Sequence, residues 1–211
     1  MKKVILFGFA SLLFVACGND STQKNGPLPY LGENIITDKG DTTYYKIPAF
    51  GFVDQDSSWI TNESVADKIY VTDFFFTSCL SICRKMKQQM LKVHEVYGKD
   101  EEIMLLSHTI DPNYDTVEVL KEYADDLDLM SNQWRFLTGD KDSIYAMGAR
   151  YFVAANEDPN SPDGFYHTDV FTLVDKERRV RGVYHGTDSL DVKRLIVDIE
   201  RLKKEYEPQN P

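Results

Sequence analysis

Two cysteines with three residues between them, Cys79 and Cys83 in the stretch DFFFTSCLSICRKM over residues 73–86, are the side chains of this sequence best placed to do chemistry. A run of aromatic residues precedes them. If that run is a buried strand and a helix starts after Thr77, both thiols fall on one face of the helix's first turn. The unpaired amides and the positive dipole end there favour a thiolate, which predicts a lowered pKa for one or both cysteines. A thiolate can serve as a nucleophile or as a ligand, and the spacing bears on which. The usual dithiol redox motif leaves two residues between its cysteines. With three, the Cα atoms of a regular helix stand roughly 6 Å apart, near the long end of what a disulfide tolerates. A disulfide would then need local unwinding, whereas two sulfurs on successive turns converge on one soft ion such as Cu(I) or zinc.

A third ligand has to come from far away in sequence, and the chain has four histidines. His94 falls within the helix that follows the cysteines and reads as an exposed helix residue. His108 stands near the end of a strand, beside Asp111-Pro112, where a structural role is the simpler reading. His185 closes a late hairpin and reads as surface. His167 differs, because it lies in a loop, Gly164-Phe-Tyr-His-Thr-Asp169, that enters a strand and can deliver a side chain next to a helix N-terminus. A structural zinc site normally has four ligands, and only three good ones are present. A peroxidase would want threonine three residues before its reactive cysteine, and Thr77 stands two before Cys79.

The elements that must position these residues follow from periodicity. Lys68–Phe76, KIYVTDFFF, is nearly continuous in β-branched and aromatic residues, as for a central strand covered on both faces. Ile82, Met86, Met90, Val93 and Tyr97 then repeat at helical spacing up to Gly98. Ile103–Ile110 is a second strand. Asp115 or Thr116 caps a helix with Val117, Leu120, Tyr123, Ala124 and Leu127 inward. Trp134–Leu137 is a strand, and Asp140 caps a helix through Arg150. Val170–Val174 pairs with Val180–Tyr184, and Ser189–Tyr206 is a final amphipathic helix with Leu190, Leu195, Ile199 and Leu202 inward. Phe50–Val53 and Trp59–Thr61 form a hairpin ahead of them. The expected class is α/β, a mixed central sheet flanked by helices with an N-terminal β-hairpin extension.

The remaining ends concern location. Met1-Lys-Lys followed by Val4–Val15 reads as an export signal whose apolar part is too short to span a bilayer. It ends in Phe14-Val-Ala-Cys17, which resembles the lipobox of bacterial lipoproteins, with Cys17 as the lipid-bearing residue. The implied organisation is a signal peptide over 1–16, a polar tether over 17–30 and one domain over 31–207. Loss of Lys2 and Lys3 with the signal takes the formal charge from −10 to −12. So acidic a chain is a poor partner for nucleic acid, and any attachment to a membrane would come from lipid rather than charge. A lipid-anchored protein facing an oxidising periplasm is expected, as a monomer. There a free thiol pair oxidises unless something reduces it or a metal holds it.

A thiol pair where the first core strand enters a helix resembles the thioredoxin fold. The segments Thr77–Cys83, Thr109–Thr116, Phe136–Gly139 and His167–Asp169 resemble, in order and approximate spacing, the Sco/SenC family of copper chaperones, over about Ile47 to Tyr206. That resemblance implies one copper ion held by Cys79, Cys83 and His167. It also implies a role in assembling the dinuclear copper centre of cytochrome c oxidase, with the copper-bearing subunit or another cuproprotein as partner. The family usually has proline after each cysteine, and here Leu80 and Arg84 stand there. Arg84 is accordingly expected to sit beside Cys83 and stabilise its thiolate. The alternative is an enzyme, a thiol-disulfide oxidoreductase acting on apo-oxidase or other exported cysteines, with Cys79 and Cys83 catalytic and His167 dispensable.

Overall fold

A computed structural model describes residues 26–79, 82–129 and 133–208 of the protein; the signal segment and Cys17 lie outside the described residues. The strand at the centre is β5, Ile69–Phe75, buried at all seven positions. Its unbroken aromatic and β-branched sequence suits a strand covered on both faces. It pairs in parallel with β6 (Ile103–Thr109), which pairs in parallel with β7 (Trp134–Thr138). On the other side β5 pairs antiparallel with β10 (Val170–Val174), which carries β11 (Val180–His185) as a hairpin partner. The N-terminal hairpin of β3 (Gly51–Asp54) and β4 (Trp59–Thr61) joins through β3 and β7, completing a seven-stranded mixed sheet in the order β11-β10-β5-β6-β7-β3-β4.

Among the described residues four helices accompany it: α1 (Ile82–Tyr97), α2 (Val117–Asp125), α3 (Lys141–Arg150) and α4 (Ser189–Tyr206). Thr116, rather than Asp115, is the N-cap of α2 and accepts from Val119 N, and Asp140 caps α3 through Ser143 N. None of the helices is long and apolar enough to cross a membrane among the described residues. A small antiparallel pair, β1 (Ile35–Ile36) with β2 (Thr42–Thr43), stands apart from the main sheet.

Several expectations are corrected. α1 begins at Ile82, so Cys79 lies in the turn ahead of it and not on its first turn. His94 is buried, facing the Trp134 ring at 5.9 Å, because it continues the inward stripe of Met90 and Val93 instead of the solvent face. Leu190 is 71% exposed. Asp188 caps α4, which puts Leu190 in the first turn, and Val192, Leu195, Ile199 and Leu202 form the inward stripe. A further hairpin, β8 (Ala155–Glu157) with β9 (Phe165–His167), was not expected. Its strands are short and mostly uncovered, so neither shows the alternation that marks a strand in sequence. His167 is thus the last residue of a strand and not a loop residue.

Residues 28–30, expected to end the tether, are held on the domain. Arg181, 1% exposed, donates to the carbonyls of Leu28 and Pro29 and to the carboxylates of Asp175 and Glu205. Glu205 in turn accepts from Leu28 N at 2.7 Å, and Leu31 N donates to the Val180 carbonyl.

His108 has the structural role expected of it. It is fully buried, with its ring stacked 4.8 Å from Phe74 and Nδ1 3.1 Å from Thr72 Oγ1. Burial pushes its pKa down to about 3. An unfolded histidine titrates near 6.5, so between those values the unfolded chain binds a proton that the folded chain refuses, and stability falls as pH falls through that window. We expect a urea-denaturation series from about pH 6.5 to about pH 4 to show a shallower decline for His108→Leu than for the unsubstituted chain. Equal slopes would remove His108 as the cause.

Candidate metal centre

The site is built at the point where β5 gives way to α1. The turn after β5 is tied down by a carboxylate from another loop. Asp115, fully buried, accepts from Thr77 N at 3.1 Å and from the hydroxyls of Thr77 and Thr109. Thr109 is the last residue of β6, and Ile110 N donates to the Phe75 carbonyl at 2.8 Å. The ends of β5 and β6 are therefore joined both through backbone and through one buried side chain. Cys79 N then donates to the Phe76 carbonyl, closing the turn that carries the first thiol.

His167 arrives from the other side of the site. Phe76 packs against Phe165 at 5.1 Å and meets the His167 ring edge-on at 6.0 Å, so the aromatic end of the β5 segment seats β9. His167 Nδ1 lies 3.1 Å from the Thr168 carbonyl. A carbonyl only accepts, so Nδ1 carries the proton and the Nε2 lone pair is free to face the cysteines. Nε2 is 3.1 Å from Cys83 Sγ and accepts the thiol proton. The two sulfurs and this nitrogen all lie within 4.8 Å of one another, each on a buried residue. The remaining histidines stay away: His94 and His108 are in the core, and exposed His185 pairs with Asp169 at 3.1 Å, which raises its pKa.

The electrostatics differ from the expected helix-dipole effect. The Cys83 thiol is pushed well up from its usual range, first by its hydrogen bond with Cys79, then by burial and by the negative charge Cys79 can carry. Cys83 is 6% exposed, and two thiols this close do not both ionise readily in a dry site. Arg84 lies on the exposed side of α1 and does not act on the thiol as its position in sequence suggested. Without a metal, the pair holds at least the Cys83 proton, shared toward His167.

A second carboxylate, missed in the sequence, lies behind Cys83. Asp73 on β5 is buried and accepts from Ser107 Oγ, which itself accepts from Trp134 Nε1 at 2.8 Å. Burial raises the Asp73 pKa to about 6 against the lowering effect of the Ser107 bond. Asp73, Cys83, Lys87 and Tyr123 line one small cavity, so the acid and the thiol face a common space. The sequence did carry a signal for it, a lone acid inside the apolar run of KIYVTDFFF.

Two thiolates and an imidazole at this separation suit a soft monovalent or borderline divalent ion in a three-coordinate, open site. The same two sulfurs, both present as free cysteines, can also exchange with a disulfide.

A family model described as SCO1/SenC matches residues 39–204. The SCO1 protein homolog of Bacillus subtilis is 28% identical over 162 residues, spanning 76% of this chain and 84% of its own length. The structure of BsSco, a member of the Sco family of cytochrome c oxidase assembly proteins in which a disulfide switch was identified, is similar with a TM-score of 0.64 and 26% identity. It covers 76% of this chain and 94% of that one. ScoI of Bradyrhizobium japonicum, solved with copper bound, is similar in fold with a TM-score of 0.63 and 23% identity, over 75% of this chain and 99% of that one. The architecture is the thioredoxin-like fold of these proteins.

The Asp115 clamp has a measurable weight. Asp115→Ala leaves three buried or half-buried donors without their acceptor, which costs on the order of 2–3 kcal/mol. We expect urea denaturation to show that loss, and Asp115→Asn, which keeps one acceptor oxygen, to lose less. A loss under about 0.5 kcal/mol for Asp115→Ala would mean that the turn is held by other contacts.

Proposed function

The chain belongs to the SCO1/SenC family, and we propose that it is a membrane-anchored copper chaperone that binds one copper ion through Cys79, Cys83 and His167 and supports assembly of the dinuclear copper centre of cytochrome c oxidase. The observation that carries this reading is the convergence of three soft or borderline donors from β9 and the β5–α1 junction within 4.8 Å of one another. The His167 tautomer, fixed by Thr168, supports it further, since the lone pair is already aimed at the thiol a metal would displace from its proton. The copper-bound relative and the oxidase-assembly relative support copper as the cargo and the oxidase subunit as the receiver. An open three-ligand site suits transfer, because an incoming ligand can attack before any bond to the metal breaks.

On this reading Cys17 carries the lipid after removal of residues 1–16, and residues 17–30 connect it to the domain over 31–207, with Leu28 to Tyr30 already packed on that domain. The protein then works as a lipid-anchored monomer of the cell envelope, facing the periplasm. Anaerobic titration of the domain with copper should reach one ion per chain. His167→Ala should weaken binding by at least the roughly 10–100-fold that loss of a group merely supporting a ligand commonly costs, and the Cys79→Ser/Cys83→Ser pair should abolish it. Binding should release protons and tighten as pH rises, since the raised Cys83 thiol must ionise to coordinate. Absence of stoichiometric binding, or an unchanged affinity in His167→Ala, would overturn the reading.

A second reading, thiol-disulfide exchange with an acceptor's cysteines, is favoured by the two free thiols within 4.8 Å and by the disulfide switch of BsSco. It predicts that His167→Ala keeps disulfide-reducing activity on a model disulfide while both cysteine variants lose it. The two readings are compatible, since an acceptor's thiols must be reduced before they can take copper.

A further inference from the structure

The first turns of α1 carry a charge pattern that works against the helix itself. Arg84, Lys85 and Lys87 follow Cys83 directly, and the first turn of α1 has no acidic residue. Cations at a helix N-terminus oppose the positive end of its dipole, and none of these three forms an ion pair among the described residues. Several cations elsewhere in this acidic chain are matched, Arg135 with Asp54 and Asp56, Arg181 with Asp175 and Glu205, Lys203 with Asp100. Arg84 and Lys85 are exposed. Lys87 stands one turn after Cys83 on the same helix face, with its ammonium 5.1 Å over the Tyr123 ring and its stem lining the cavity behind the thiol. Three carboxylates of the described residues are engaged elsewhere. Asp73 and Asp115 are buried in hydrogen bonds, and Glu157 pairs with Lys141.

Two exposed aromatic residues flank the same site. Tyr114 is 58% exposed next to Asp115, which holds the Cys79 turn, and Tyr166 is 50% exposed next to His167. Tyrosine and arginine are the side chains that most often anchor protein interfaces.

We propose that Arg84, Lys85 and Lys87, with Tyr114 and Tyr166, form a docking face for an acidic protein surface, one whose metal- or thiol-accepting site is ringed by Asp and Glu carboxylates. This rests on the reading that the thiol site serves another protein. Uncompensated cations one to four residues after Cys83 raise the encounter rate of a partner of opposite charge and set its register over the sulfurs. The protein's overall negative charge disfavours such a partner on average, which gives this basic end its weight.

Two measurements on the full-length chain in detergent, carrying Cys17→Ala so that only Cys79 and Cys83 react, test this. The first compares the reaction rates of the reduced thiols with a dianionic aryl disulfide, 5,5′-dithiobis(2-nitrobenzoate), and an uncharged one, 4,4′-dithiodipyridine. The anionic-to-neutral rate ratio should fall at least about fivefold in Arg84→Gln/Lys85→Gln/Lys87→Gln, and should fall with added salt in the parent, as screening of exposed charges requires. The second follows copper passing from the loaded chain to the apo copper-binding domain of the oxidase subunit. The parent rate should drop about tenfold or more from low to high ionic strength, and the triple variant should be slow at both. An unchanged anionic-to-neutral ratio in the variant overturns the basic face, whatever the second measurement gives. A ratio that responds while no copper reaches the oxidase domain upholds the face and counts against the oxidase subunit as receiver. If the substitutions change only retention on phosphatidylglycerol bilayers relative to phosphatidylcholine, and neither rate, the face belongs to the membrane and the proposal fails.

Discussion

The structure around the thiol pair depends on one buried carboxylate. Asp115 takes hydrogen bonds from the backbone and hydroxyl of Thr77 and from the hydroxyl of Thr109, and so fixes the end of β5 to the end of β6 two residues before Cys79. A buried charge with fewer partners would be costly. With three donors it becomes a rigid joint, and burial still raises its pKa against them. Because the turn is held from its N-terminal side, α1 can start at Ile82 with Cys83 in its first turn while Cys79 stays outside the helical register. The sulfurs can then approach each other and His167 more closely than strict helical spacing allows.

Within that frame the pair holds a proton that an incoming metal would have to displace. Cys83 is hydrogen-bonded to Cys79 and to His167 Nε2, and a cation beside the sulfurs would favour the thiolate that Cys79 and burial disfavour. Asp73 adds a second acidic group behind the thiol, its pKa raised by burial, and is linked through Ser107 to Trp134. Metal affinity in such a site is set as much by the displaced protons as by the ligands.

Much of this was legible in the sequence because the signals were local. The strand over KIYVTDFFF, the limits of the last helix and the caps at Thr116 and Asp140 follow from periodicity and capping chemistry, and the structure has them. The convergence of Cys79, Cys83 and His167 was also within reach, since the order and spacing of the motifs resemble one family. What escaped depends on tertiary contact. Asp115 reads as a turn or a cap until Thr77 is seen to reach it across 38 positions of sequence. Asp73 reads as an oddity in a strand until Ser107 and Trp134 close around it. The direction of the Cys83 shift was misjudged because a helix dipole is a local effect, and burial beside a second thiol outweighs it. The β8–β9 hairpin has no hydrophobic alternation of its own and is seated by Phe76 and Phe165.

The Arg181 clamp gives the molecule a polarity. It pins residues 28–30 at the Val180 end of β11, while the other end of that strand, His185, lies beside Asp169, two residues from His167. Six residues of strand separate the two ends, about 17 Å. Residues 28–30 are thus fastened at the opposite pole from the sulfurs. A force entering the domain through Leu28 acts at that pole, as on a buoy held from below, with the thiol end facing away from it.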